Sequence, residues 1–236
     1  MINIKNITHY YGKTAVFKDF DTNFKAETLS CLLGSSGSGK TTLLRLIAGL
    51  EIPEKGIIRV NDIIFTENTN LKVPPHKRKI GFVFQDAALW PHFTVYKNVA
   101  FPLSEKKEKN IKTKVYEILD FFGIADCGNK YPHQLSGGQK QLAAVARSII
   151  LKPDILLMDE PLSNLDVKLK KKISEYILKI KNEFNLTVIY VTHDHREAFA
   201  TADEIFVLNN GKIEDSGTPE QIKKSANEYV KYFLEY

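Results

Sequence analysis

The chain has 236 residues, of which 43% are hydrophobic and 26% charged, and a formal net charge of +5; this balance argues for a globular, soluble fold of one domain with a subdomain. Apolar runs such as ILLM and VIYV are far too short to span a membrane, MINIKNITHYY lacks a basic-then-apolar leader, and Cys31 and Cys127 predict neither a disulfide framework nor a metal knuckle, as suits a reducing cytoplasm. The positive charge sits in lysine clusters, KKEKNIKTK (106–114) and KLKKK (168–172), which read as solvated helix faces without the aromatic interleaving of a nucleic-acid surface.

In chain order, INIKNITHYY, AVFKDFDTNF and TLSCLL read as strands, the first two forming an antiparallel layer that leads into a buried strand. The turn GSSGSGKTT (34–42) follows, and Leu43, Leu44, Leu46, Ile47 and Leu50 then recur at helical spacing. IGFVFQ (80–85) is a further short strand, and KTKVYEILDFF (112–122) an amphipathic helix within a mostly helical insertion over 86–134. Beyond it come LSGGQ and the helix QLAAVARSIIL, the strand ILLMD, a helix over 167–184 with Leu169, Ile173, Ile177, Ile180 and Phe184 on one face, the strand TVIYVT, a helix near 194–202 and the strand region EIFVLNNGKI. Alternating strands and helices predict a parallel, doubly wound sheet, and 218–236 reads as one terminal helix.

Gly34, Gly39, Lys40 and Thr41 satisfy the phosphate-binding pattern G-x-x-x-x-G-K-[ST]. Glycines let the backbone curl so that successive N–H groups point inward, and the helix beginning near Lys40 adds its positive end. Ser35, Ser36, Gly37, Ser38 and Thr42 complete this cradle, in which Lys40 is expected to reach the β- and γ-phosphates of a nucleotide and the Thr41 hydroxyl to ligate Mg²⁺. A cradle alone binds without hydrolysing. The strand ILLMD delivers Asp159 to the sheet's carboxyl edge as a metal-linked carboxylate, with Glu160 one residue farther out as the candidate general base.

Leu135-Ser136-Gly137-Gly138-Gln139 is a second backbone anion site at a helix start, and this LSGGQ stretch closely resembles the signature of ATP-binding cassette (ABC) ATPases. The resemblance covers nearly the whole chain and implies a phosphate-loop NTPase α/β fold: a parallel sheet, an N-terminal antiparallel β-layer and an inserted helical subdomain. It divides the chain into a nucleotide-binding core (1–85 and 135–236) and a helical subdomain (86–134). It further implies that Tyr11 stacks on adenine, that Gln85 joins metal and attacking water to the helical subdomain, that Asp166 of SNLD lies in the dimer-contacting loop, and that His193 contacts the γ-phosphate. Two cassettes in such proteins pack head to tail, so that each ATP lies between one copy's phosphate loop and the other's LSGGQ. The sequence departs from the family pattern at Lys140-Gln141-Leu142, where Gln-Arg or Arg-Gln is usual.

FQDAALWPHFTVYKNVAFPL and DEPLSNLDVKLKKKI resemble importer ATPases of the mineral and organic ion group and their sugar-importing relatives. The resemblance implies an ATPase with ATP and Mg²⁺ as ligands, a homodimer, peripheral attachment at the inner face of the cell membrane through integral permease subunits, an indirect link to a substrate-binding protein, and no nucleic acid. Trp90, Phe93, Tyr96 and Phe101 mark the expected docking groove. The end at Tyr236 points to short importers of ferric iron, molybdate or tungstate, sulfate, thiamine or polyamines. A soluble ABC ATPase of DNA repair or translation, and a binding module with little turnover, are the alternatives; the first should carry a coiled-coil insertion or a second cassette, the second should lack Glu160 or His193.

Overall fold

In a computed structural model, residues 1–163 and 165–235 are described; Asn164, within the SNLD stretch, and Tyr236 lie outside the described residues. Strands β1 (Ile2–Tyr11), β2 (Thr14–Phe24), β4 (Lys55–Val60), β5 (Ile63–Glu67) and β6 (Asn70–Leu71) form an antiparallel sheet in the order β2-β1-β4-β5-β6. The antiparallel layer is thus wider than the two strands expected from the first 33 residues. A second sheet has the order β11-β10-β3-β9-β8-β7 and joins β3 (Leu29–Leu33), β7 (Ile80–Val83), β8 (Ile155–Asp159), β9 (Thr187–Val191), β10 (Glu204–Asn209) and β11 (Lys212–Gly217). All its pairings are parallel except the β10–β11 hairpin.

The central strands β3, β8 and β9 are buried along their full length, as strands covered on both faces must be. Alternate residues feed two separate cores. Ile155 and Leu157 of β8 join the antiparallel layer and Leu43, Leu44, Leu46 and Ile47 of helix α1 (Lys40–Ala48), whereas Leu156 and Met158 face the other helices. Those are α2 (Val95–Glu105), α3 (Ile111–Phe121), α4 (Gly137–Ile149) and α5 (Val167–Phe184), with the shorter α6 (His195–Thr201) and α7 (Pro219–Lys223) and the terminal α8 (Glu228–Glu235). None of the helices among the described residues is long and apolar enough to cross a membrane.

Helix α5 runs over the residues its periodicity predicts, with Ile173, Ile177 and Ile180 buried and the Asp166 side chain accepting from the Leu169 amide at its start. The terminal stretch differs from expectation. It forms two helices, because the chain breaks at Ser225-Ala226-Asn227, where Ser225 bonds the Asp215 carboxylate and Asn227 Oδ1 accepts from the Val230 amide to start α8 afresh. Short polar side chains that bond nearby backbone compete with helix continuation in this way.

Candidate nucleotide site

The residues singled out in the phosphate loop lie between β3 and α1, at the carboxyl edge of the parallel sheet. Gly34 is fixed there by crowding: a Cβ on it would fall 2.1 Å from the Leu208 carbonyl oxygen. Gly39, with φ +108°, turns the chain into the first turn of α1, where a side chain would meet the Phe17 ring. The loop closes on Lys40. Its ammonium donates to the carbonyl oxygens of Gly34 (2.9 Å) and Ser35 (2.8 Å), and only 5% of the residue is exposed.

Burial lowers the Lys40 pKa, with Glu160 and Asp159 pulling the other way. A buried cation whose bonded partners are neutral carbonyls is an electrostatic deficit that an anion in the loop would fill. The Thr41 hydroxyl donates across 2.8 Å to Asp159 Oδ1 at the end of β8. Burial raises the Asp159 pKa, opposed by the bond from Thr41 and reinforced by Glu160. A hydroxyl and one carboxylate are the hard oxygen donors of a Mg²⁺ site that shares its ion with substrate phosphates.

Glu160 follows with φ +44°, left-handed backbone for a residue that has a Cβ. It is held there from both sides, its amide bonded to the Val191 carbonyl (3.0 Å) and its carbonyl to the Ser163 hydroxyl (3.1 Å). Two groups meet its carboxylate. Gln85 Nε2, just beyond β7, lies 3.3 Å from Glu160 Oε2, and His193 Nδ1, just beyond β9, lies 3.2 Å from the same oxygen. Residues from three strand ends therefore converge on one carboxylate. Gln85 and His193 are both solvent-exposed.

Tyr11 ends β1 with its ring half in solvent, and its hydroxyl donates to Glu51 Oε2 at 2.6 Å and lies 3.3 Å from Thr42 Oγ1. Burial, then the Glu51 bond, pushes the phenol's pKa up. Glu51 is itself gripped by Arg45 (3.2 Å) and His9 Nε2 (3.2 Å). Sequence reading missed Glu51, which lies in a turn without motif or periodicity.

The signature turn stands apart. Ser136 caps α4 by accepting from the Gln139 amide, while Gln139 Oε1 accepts from the Ser136 amide, and among the described residues no hydrogen bond joins this turn to the phosphate loop. Its neighbour is the start of α5: a Cβ on Gly138 would fall 2.4 Å from Leu169 Cδ2, and one on Gly137 3.3 Å from Leu165 Cδ2. Asp166 is engaged in capping α5. Of the unusual Lys140-Gln141-Leu142, the last two are buried in the helix's packed face.

The family model described as ABC transporter matches residues 17–163. The chain is 44% identical over 236 residues to a sulfate/thiosulfate import ATP-binding protein of Synechocystis sp., covering 99% of this chain and 65% of that protein. It is 40% identical over 237 residues to a trehalose/maltose import ATP-binding protein of Thermococcus litoralis, covering 99% and 64% respectively. It thus spans just under two thirds of the length of these relatives. Among solved structures, a bacterial ABC transporter cassette in dimeric form superposes with a TM-score of 0.83 at 32% identity, covering 93% of this chain and 99% of that one. A post-hydrolysis dimer bound to ADP and phosphate gives a TM-score of 0.81 at the same identity, with the same coverage. Sequence, fold and the strand-end convergence around Glu160 agree: this chain belongs to the ABC transporter family.

Proposed function

We propose that the chain is the ATP-hydrolysing subunit of an ABC importer, working as a head-to-tail dimer attached through a membrane permease to the cytoplasmic face of the cell membrane. The observation that carries this reading is the division of the site: Lys40, Thr41, Asp159, Glu160, Gln85 and His193 converge, while the Ser136 turn, a second ready-made anion site, shares no hydrogen bond with them among the described residues. A triphosphate held by the loop of one copy and the Ser136-Gly137-Gly138-Gln139 turn of another satisfies both, which makes ATP the link between copies. Cleavage to ADP and phosphate loosens that link. The dimeric cassettes among the similar structures support it, one of them with ADP and phosphate bound.

Within one copy, the loop amides and Lys40 hold the phosphates and Tyr11 offers a ring face to adenine. Thr41 and Asp159, with Gln85, are the groups that would hold Mg²⁺, which supplies charge neutralisation at the phosphates when bound. Glu160 accepts the proton of the attacking water. Gln85 and His193, both on Oε2, keep that carboxylate aimed. In domain terms, 1–85 and 135–236 form the nucleotide core and 86–134 the helical subdomain, whose Trp90, Phe93 and Phe101 present aromatic surface to the permease. The imports after which the relatives are named, of sulfate/thiosulfate, Fe(3+) ions, spermidine/putrescine and trehalose/maltose, support an inorganic ion or small organic molecule as the cargo.

The test is Glu160→Gln in the presence of Mg·ATP. ATP affinity is retained, turnover falls by about 10²-fold or more, and the variant sediments as a dimer. A wild-type chain without ATPase activity, or a variant that turns over normally, would overturn the assignment.

A further inference from the structure

The segment following Gln85 holds two consecutive non-glycine residues in left-handed backbone, Ala87 (φ +61°) and Ala88 (φ +44°). Each costs about 1 kcal/mol or more relative to ordinary backbone; inside the segment the Ala87 amide bonds the Phe84 carbonyl (3.0 Å) and the Ala88 amide bonds Asp86 Oδ1 (3.1 Å), which leaves the two alanine carbonyls to be held from outside. The Arg147 guanidinium, reaching across from α4, does so: Nη2 donates to the Ala87 carbonyl at 3.1 Å and Nη1 to the Ala88 carbonyl at 2.8 Å. The same guanidinium lies over the Trp90 ring, with Cζ 4.9 Å from its centroid. Asn98 of α2, fully buried, completes the clasp: its Oδ1 accepts from the Trp90 amide (2.9 Å) and its Nδ2 donates to the carbonyls of Trp90, Phe93 and Thr94.

We propose that Arg147 is a positioning residue for Gln85, latching the strained Ala87-Ala88 turn so that the Gln85 amide meets Glu160 and the Trp90 ring is carried in the same rigid frame. The latch suits the task because a rigid planar fork can donate to two neighbouring carbonyls while its face stacks on an indole; an ammonium can also donate to two carbonyls, but it has no plane to stack and no fixed fork to set their spacing. Burial lowers the Arg147 pKa, and Asp86 is the carboxylate that opposes this. With its donors spent on backbone carbonyls, the guanidinium serves the turn rather than a surface salt bridge. Displacement of the Trp90 ring by anything that binds there disturbs the fork, and with it the two carbonyls that follow Gln85.

The inference rests on the proposed role of Gln85 in hydrolysis, and the experiment separates the two. Trp90 is the only tryptophan in the chain, so its emission reports the latch directly. In Arg147→Lys, which keeps the charge and stem, the emission shifts to longer wavelength, kcat falls by about tenfold to a hundredfold, and KM and fluorescent-nucleotide affinity stay at wild-type values. Replacing Ala87 and Ala88 with glycine, which adopts left-handed backbone freely, restores most of that kcat in the Arg147→Lys background. Wild-type kcat in Arg147→Lys, an unmoved emission, or equal losses with and without the glycines would overturn the latch. An inactive wild-type chain would overturn the hydrolytic reading instead, while the emission shift would still report on Arg147.

Discussion

The Thr41 hydroxyl and the Asp159 carboxylate meet at 2.8 Å, tying the first turn of α1 to the end of β8. This bond occupies the position from which both groups would turn toward a hard cation, so each should matter only when the metal is present. Thr41→Val and Asp159→Asn are expected to leave ATP binding in chelator unchanged and to abolish its tightening by Mg²⁺. Turnover should fall by about 10²-fold or more, as the loss of several kcal/mol of charge stabilisation implies. Isothermal titration with and without Mg²⁺, alongside phosphate release, checks this; equal binding losses in both conditions would contradict it.

In the proposed function, Tyr11 contributes through its ring rather than its hydroxyl. Its bond to Glu51 ties down the hydroxyl and so orients the ring, half of which is in solvent. Tyr11→Ala should therefore weaken ATP binding by about tenfold, within the range for loss of one aromatic platform under a base, while Tyr11→Phe stays near wild type. ATP and triphosphate titrations of both variants discriminate: the triphosphate, having no base, should bind all three proteins alike.

Arg78 is a stability residue. It is 2% exposed and gives its donors to the carbonyls of Leu46, Ile47, Val73 and Phe65 and to the Thr66 hydroxyl, closing the C-terminal end of α1. Burial lowers its pKa to about 10, so it stays charged at neutral pH. Gly49 is required beside it, because a Cβ there would lie 2.5 Å from Arg78 Cζ. Arg78→Met strands those carbonyls and is expected to cost ~3 kcal/mol, or roughly 6–12 °C in Tm for a chain of this size. Denaturant unfolding measures the first and calorimetry the second.

The two cysteines are chemically quiet. Cys31 and Cys127 are each 0% exposed, and burial raises both thiol pKa values, with Glu197 adding to the effect at Cys31 and Asp126 at Cys127. A raised pKa keeps the thiol protonated and the nucleophilic thiolate scarce at neutral pH. A disulfide reagent should label neither thiol in the native chain and both after unfolding in guanidinium; rapid labelling of either native thiol would refute this.

The residues that announce themselves in the sequence are those whose chemistry is local. GSSGSGKTT needs its glycines in order to curl, ILLMD must be apolar to lie inside the sheet, and the 3.6-residue period of α5 is imposed by one buried face; each constraint acts within a few residues and so leaves a readable pattern. The strands β4 to β6 went unread because KGIIRV, IIFTE and NL are short segments whose identity as strands depends on pairing with β1 and with each other. The break between α7 and α8 was missed for a related reason: Ser225 and Asn227 interrupt a helical pattern only because Asp215 accepts from the Ser225 hydroxyl and the Val230 amide of the restarted helix donates to Asn227 Oδ1.

What the sequence determined by itself was therefore the layered α/β architecture, along with the candidates proposed as phosphate loop, carboxylate pair and signature turn. Tertiary structure alone decided how they combine: that Gln85 and His193 meet on one oxygen of Glu160, that Glu51 holds Tyr11, that Arg78 closes α1, and that Arg147 clasps Ala87, Ala88 and Trp90. Such contacts join residues far apart in the chain, and their energies depend on distance and burial, which no spacing of letters records.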